Sequence, residues 1–221
     1  MAPQVTAAER LQAVRETIAA AARLARREPA DVTLIAVSKT RTPNEIEALV
    51  EAGQHDFGES RVQEALAKWP RLLERHDGLR LHCVGRLQSN KAAEAITLFD
   101  TIHSLDRMSL FEALAKASEK AGRRPTLYVQ VNIGDEEQKG GCAIGEVGEL
   151  VEAVRQSSLP LAGLMAIPPL GVEPSPYFAL LAKLADEHRV SGLSIGMSGD
   201  YRSAVLLGAT AVRVGTAVFE G

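Results

Sequence analysis

Residues 33–60, TLIAVSKTRTPNEIEALVEAGQHDFGES, decide the architecture. A β-rich apolar run begins at Thr33, a segment of helical period covers 43–52, and a second short β-rich run begins at His55. No hairpin signal joins the two runs. Strands separated by a helix run parallel, because the crossover helix returns the chain to the same edge. The alternation repeats. Further runs begin near 81 (LHCVG), 100 (DTIHSL), 126 (TLYVQVN), 161 (LAGLMA), 193 (LSIG) and 211 (AVRVG), with helical-period segments at 60–75, 88–98, 107–121, 145–157, 175–189 and 200–208. Eight such units close most naturally into a (β/α)8 TIM barrel, with an open doubly wound sheet as the rival arrangement. No linker, internal repeat or low-complexity stretch interrupts them, so residues 1–221 are expected to form a single domain.

Upstream, Thr6-Ala7-Ala8-Glu9 reads as a capping box, and Leu11, Val14, Ile18, Ala21 and Ala25 recur at helical spacing. Residues 1–28 are therefore expected to form an extra N-terminal helix packed on the barrel. The acids Glu9, Glu16 and Glu28 argue against a transit peptide, and no apolar run suits a signal peptide or a membrane span. A net charge of −3, from 25 basic and 28 acidic residues, provides no field for a polyanion, so a nucleic-acid partner is not expected. Two cysteines, Cys83 and Cys142, make neither a disulfide framework nor a metal-binding cluster, and point to a cytoplasmic location.

In such a barrel the chemistry lies at the C-terminal ends of the strands. The first run ends in Val37-Ser38-Lys39-Thr40. Lys39 is read either as a solvated strand end or as an imine-forming amine set among apolar residues, able to attack an aldehyde. The seventh and eighth runs lead into Gly196-Met197-Ser198-Gly199-Asp200 and Arg213-Val214-Gly215-Thr216. Two glycine-hydroxyl loops at these positions suit a phosphate, which takes N–H donors from bare backbone. Arg213 either faces the helix layer or points inward near those loops. An aldehyde-reactive lysine, a phosphate cup and a nearby arginine together describe pyridoxal 5′-phosphate (PLP), whose ring nitrogen takes an Asp or Arg partner.

Other groupings weigh less. His82 and His103 lack the clustered carboxylates or thiols of a metal site. Gly196-x-Ser198 imitates a nucleophile elbow, but Asp200 stands at the second glycine and no histidine follows, which rejects that hydrolase type. Gln88-Ser89-Asn90-Lys91 reads as a helix start, and Lys139-Gly140-Gly141 as a loop without assigned chemistry.

Seven ordered motifs carry a resemblance: LIAVSKT (34–40), FGES with VQE (57–64), HCVGRLQSNK (82–91), NIGDEEQKGG (132–141), GLMAIP (163–168), SIGMSGD (194–200) and VRVGTAVF (212–219). Nearly end to end, the chain resembles the PLP-binding homeostasis protein family, whose members look like the barrel domain of alanine racemase standing alone. The resemblance implies that Lys39 carries PLP as an aldimine, that Ser198, Gly215 and Thr216 hold its phosphate, that Arg213 faces the pyridine nitrogen and that His82 lines the cofactor pocket. It also assigns Gln88-Ser89-Asn90-Lys91 a substrate-side or partner-facing role. Two positions depart from the family pattern: Ser60 stands in place of the usual Asn, and Glu220 in place of the usual Gly, with the last helix expected to be truncated at Gly221.

An arginine partner keeps the pyridine ring neutral and weakens it as an electron sink. A racemase also needs acid-base groups on both faces of its substrate, and Tyr128, Tyr177 and Tyr201 are the only tyrosines, none in a matched catalytic context. The expectation is therefore a non-catalytic protein that buffers PLP or delivers it to apo PLP-dependent enzymes in vitamin B6 and amino-acid homeostasis. The alternatives are a PLP-dependent amino-acid racemase and a cofactor-free Schiff-base aldolase using Lys39.

Overall fold

The computed structural model describes residues 5–136 and 138–220, so residues 1–4 of the expected N-terminal helix, Glu137 of the NIGDEEQKGG motif, and Gly221 lie outside it. Eight parallel strands close into a barrel in sequence order: β1 (Thr33–Val37), β2 (Asp56–Glu59), β3 (Arg80–Cys83), β4 (Thr101–Leu105), β5 (Thr126–Val131), β6 (Leu161–Ala166), β7 (Gly192–Ser194) and β8 (Ala211–Val214). Closure is explicit at β1, where Ala36 pairs with Phe57 on one side and Val214 on the other. The open-sheet rival is excluded.

The first helix, α1 (Ala7–Leu24), begins at the expected capping box: Thr6 Oγ1 accepts from the Glu9 N–H at 3.2 Å and Glu9 Oε2 accepts from the Thr6 N–H at 2.8 Å. Leu11, Val14, Ile18 and Ala21 are buried as expected, whereas Ala25 caps the helix C-terminus and Ala22 takes the last buried place. Arg26, with φ of 56°, turns the chain out of the helix there. The crossovers are α2 (Pro43–Glu51), α3 (Val62–Arg75), α4 (Ala92–Leu98), α5 (Met108–Ala121), α6 (Val147–Arg155), α7 (Ser175–Glu187) and α8 (Tyr201–Leu206), and α9 (Thr216–Phe219) follows β8. The helix expected over 88–98 is split, with a 3-10 turn at Ser89–Lys91 preceding α4. None of the helices among the described residues is long and apolar enough to cross a membrane.

The continuous apolar core lies between the outer faces of the strands and the helices, with Phe57, Leu81, Ile102, Leu127, Leu164 and Val212 on the strand side. Helix α1 joins it by packing against α8 and α9. The barrel interior is different. Alternate residues point inward along a strand, and here they include His82, His103, Ser194 and Arg213, all buried and linked by side-chain hydrogen bonds. Cys83 and Cys142 are buried free thiols, both pushed up to about 12 by desolvation, which makes them poor nucleophiles.

Candidate functional site

A cavity of about 340 Å³ opens at the C-terminal ends of the strands, lined by Val37, Lys39, Ser60, Val84, Ile167, Met197, Ser198, Gly199, Arg213, Gly215 and Thr216. Lys39, Ser198, Arg213, Gly215 and Thr216, expected from sequence to act together, meet here. Lys39 and Arg213 are the only charged side chains among the described lining residues.

Lys39 stands on a turn held from three directions. Thr40, at a φ of 65°, gives its N–H to Glu64 Oε1 at 2.7 Å. Lys68 Nζ donates to the carbonyls of Ser38 at 2.8 Å and Arg41 at 3.3 Å. Ser38 Oγ donates to Glu59 Oε1 at 2.7 Å, and the same oxygen takes Trp69 Nε1 at 2.9 Å and Lys68 Nζ at 2.7 Å. Arg41 pairs with Glu220 and lies over the Phe219 ring, 5.3 Å from its centroid, which ties the turn to α9. Lys39 itself is exposed at the cavity mouth, so the expectation of an amine stripped of water is corrected. The Thr40 turn projects it past the end of β1, and the apolar lining comes from Val37, Val84, Ile167 and Met197.

Across the cavity, two loops clasp each other. Gly196 has a φ of 93°, and a Cβ added there would fall 2.6 Å from Ala204 Cβ, so glycine is required. The Met197 N–H donates to Asp200 Oδ1 at 2.5 Å, and Ser198 Oγ accepts from the Gly215 N–H at 3.2 Å. The N–H groups of Ser198, Gly199 and Thr216 have no protein acceptor among the described residues and are available to an anion.

Arg213 points inward. Its Nη1 donates to the carbonyl and hydroxyl oxygens of Ser194, each at 2.6 Å, and Nη2 donates to the Ala166 carbonyl at 3.0 Å. Burial lowers it to about 10, which still leaves a cation at neutral pH.

The placement of His82 in this pocket is corrected. It lies toward the N-terminal mouth of the barrel, in a separate cavity of about 220 Å³ with Asp56, Arg80, Thr101 and His103. Strand alternation fixed its inward direction, while its height in the barrel depends on inter-strand stagger, which no local signal carries. Tyr128 stacks on His103 with ring centroids 4.5 Å apart, Tyr177 lies on α7 and Tyr201 begins α8, and none of the three lines the Lys39 cavity. Ser60 lines both that cavity and a cleft containing Gln88, Ser89, Asn90 and Lys91 with Arg61, Arg86 and Arg107. Lys139 Nζ pairs with Glu136 at 2.6 Å and donates to the Pro168 carbonyl, away from the cavity lining. No group of metal ligands occurs among the described residues.

Asp56, Glu59, Lys68, His103 and Ser194 are functional candidates that sequence reasoning misses, although His103 reads as a core or mouth histidine. The available signal was polarity inside apolar strand runs, as in HDFGE and TIHSL.

A family model described as "Alanine racemase, N-terminal domain" matches residues 10–221. The "Pyridoxal phosphate homeostasis protein" of Pseudomonas aeruginosa is 39% identical, over 97% of this chain and 95% of that relative, and the Escherichia coli K12 protein of the same description is 38% identical over 96% and 95%. The structure of PipY from Synechococcus elongatus with PLP bound superimposes with a TM-score of 0.85 at 38% identity, covering 96% of this chain and 99% of that one. Alanine racemase from Clostridium difficile, at 13% identity and a TM-score of 0.68, shares the fold over 92% of this chain and 58% of its own. The chain belongs to the family of pyridoxal phosphate homeostasis proteins, built on the barrel of the alanine racemase N-terminal domain.

Proposed function

We propose that the protein binds pyridoxal 5′-phosphate in the Lys39 cavity and acts as a reversible store or carrier of the cofactor. The carrying observation is the cavity's donor set. An amine, a buried cation and a cluster of unengaged N–H and hydroxyl groups surround one space of about 340 Å³. Each matches one part of the ligand. When bound, PLP supplies an aldehyde that bonds an amine reversibly with loss of water, and Lys39 Nζ is the amine at hand. Ser198, Gly199 and Thr216 offer backbone and hydroxyl donors to the phosphate dianion. Arg213 supplies an N–H to an unprotonated pyridine nitrogen and has no proton to give up near neutral pH.

The same residues support storage over turnover. Arg213 keeps the ring neutral. The described lining contains no carboxylate, imidazole or phenol that could exchange a proton on the face opposite Lys39. Apo PLP-dependent enzymes are the proposed recipients. The relatives described as pyridoxal phosphate homeostasis proteins, and PipY with PLP bound, support this reading.

The test is an absorbance spectrum of the purified holoprotein before and after borohydride, followed by peptide mapping of the fixed pyridoxyl group. A yellow protein bleached by reduction, with the label on Lys39, is expected. Labelling of Lys91 or Lys139 would overturn the site. Release of PLP to an apoenzyme without conversion of L-alanine to D-alanine supports the carrier, whereas racemisation at ~1 s⁻¹ or faster would establish an ordinary enzyme.

A further inference from the structure

Arg213 is a guanidinium 4% exposed whose hydrogen bonds reach two main-chain carbonyls and one hydroxyl and, among the described residues, no carboxylate. Isolated buried charge is costly unless neighbouring polar groups respond to it. Here a chain of side chains leads from that hydroxyl through the barrel interior. Ser194 Oγ lies 2.8 Å from His103 Nδ1, His103 Nε2 lies 3.0 Å from His82 Nδ1, and His82 Nε2 lies 3.0 Å from Asp56 Oδ1. Asp56 ends the chain at the N-terminal mouth, where Arg80 grips it with two bonds of 2.7 and 2.6 Å. Ser194, His82, His103 and Asp56 are all buried.

The two ends fix every hydrogen between them. Arg213 only donates, and Asp56 as a carboxylate only accepts. Burial alone would raise Asp56, but the bonds from Arg80 and His82 outweigh it and hold the acid at about 2. With neutral imidazoles one arrangement satisfies all links. Arg213 donates to Ser194, Ser194 to His103 Nδ1, His103 Nε2–H to His82 Nδ1, and His82 Nε2–H to Asp56. All links point the same way, so each polarises the next. His103 is faced by His82, by the Arg213 cation and by the stacked Tyr128 ring, and burial together with the Arg213 charge holds it well below its ordinary range, in the neutral form. A proton added at His82 Nδ1 would make that nitrogen a donor to His103 Nε2, push His103 into its Nδ1–H form and make His103 a donor to Ser194, in competition with Arg213.

We infer that His103 and His82 are positioning residues which, with Ser194, form a relay tying the Arg213 guanidinium to Asp56 at the opposite mouth of the barrel, and so set how Arg213 meets the cofactor ring. The inference rests on the reading of Arg213 as the partner of the pyridine nitrogen. His82 thus acts on the cofactor from the far end of the barrel.

Two measurements test it. In the apoprotein labelled with ¹⁵N-histidine, at neutral pH, imidazole ¹⁵N shifts should show both rings neutral and protonated on Nε2. An Nδ1–H form of either ring would overturn the relay. In the holoprotein, the pH profile of the visible absorbance is compared for wild type, Arg213→Gln, His82→Phe and His82→Gln. His82→Phe should move the midpoint by about half a unit, roughly threefold in the protonation equilibrium. His82→Gln, which can accept from His103 and donate to Asp56, should restore at least half of that shift. An altered profile in Arg213→Gln with an unchanged one in His82→Phe overturns the relay alone. An unchanged profile in Arg213→Gln, with PLP retained, removes the reading of Arg213 on which the relay rests.

Discussion

Lys68 meets Glu59 at 2.7 Å in the protein interior, where the Glu59 side chain is wholly buried and that of Lys68 is 8% exposed. This pair sits directly behind the turn that carries Lys39, since Lys68 also holds the Ser38 carbonyl and Glu59 the Ser38 hydroxyl. Breaking one side of a buried pair leaves an uncompensated charge, typically at a cost of about 3–5 kcal/mol. Lys68→Met is expected to lower stability by about 3 kcal/mol in chemical denaturation and to weaken PLP binding through a looser Lys39 turn. Adding Glu59→Gln should recover part of the stability, because the double variant buries no lone carboxylate.

The proposed phosphate cradle predicts that phosphate recognition is separable from ring recognition. Thr216→Val removes a hydroxyl donor from the cavity lining without changing its volume much. A hydrogen bond to a charged group contributes about 1.5–3 kcal/mol, so PLP affinity should fall by about tenfold or more. Affinity for pyridoxal, which lacks the phosphate, should barely change. Equal losses for both ligands in equilibrium titrations would count against this loop as the phosphate cradle.

Gly196→Ala tests the backbone of the same region. The residue has a positive φ, and the new methyl would press on Ala204 Cβ and the Tyr201 Cα. Left-handed strain costs about 1–3 kcal/mol. A matching drop in stability and a loss of PLP affinity are expected, with Lys39 still the reduced residue in whatever holoprotein forms.

The pH dependence of stability follows from two buried groups. Asp56 is depressed when folded, so its contribution is complete above about pH 4, the unfolded value, and is lost as pH falls toward about 2. That contribution is about 2 kcal/mol. His103 is also depressed, but as a base. The unfolded chain binds a proton below about pH 6.5 that the folded protein refuses, so stability declines from there downward. Urea denaturation across pH 7 to 3 should show both slopes, and His103→Gln should flatten the one just below pH 6.5.

Much of this was legible in the chain because its signals are local. Each strand is a short β-rich run between helical segments, and the barrel rule then brings the ends of β1, β7 and β8 together, which is why the sequence alone places Lys39, Ser198, Arg213, Gly215 and Thr216 around one cavity. What escaped depends on distant partners. His82 was assigned to the wrong mouth because stagger between β2, β3 and β4 sets its height, and Glu59 and Lys68 are joined only when α3 folds back over β2. Ser60 borders two cavities, a position set by Gly85, where an added Cβ would fall 2.2 Å from the Ser60 carbonyl oxygen. Glu220 found a use in pairing with Arg41, although an exposed pair of this kind contributes little to stability.

Trp69 is the single tryptophan of the chain, fully buried, with its indole N–H on the same Glu59 oxygen that receives Ser38 and Lys68. The protein therefore contains its own optical gauge. Near-ultraviolet emission from one rigid indole, adjoining the turn that bears Lys39, overlaps the absorption of a pyridoxal chromophore, so PLP held at the proposed site is expected to quench that fluorescence and its release to restore it, without any label.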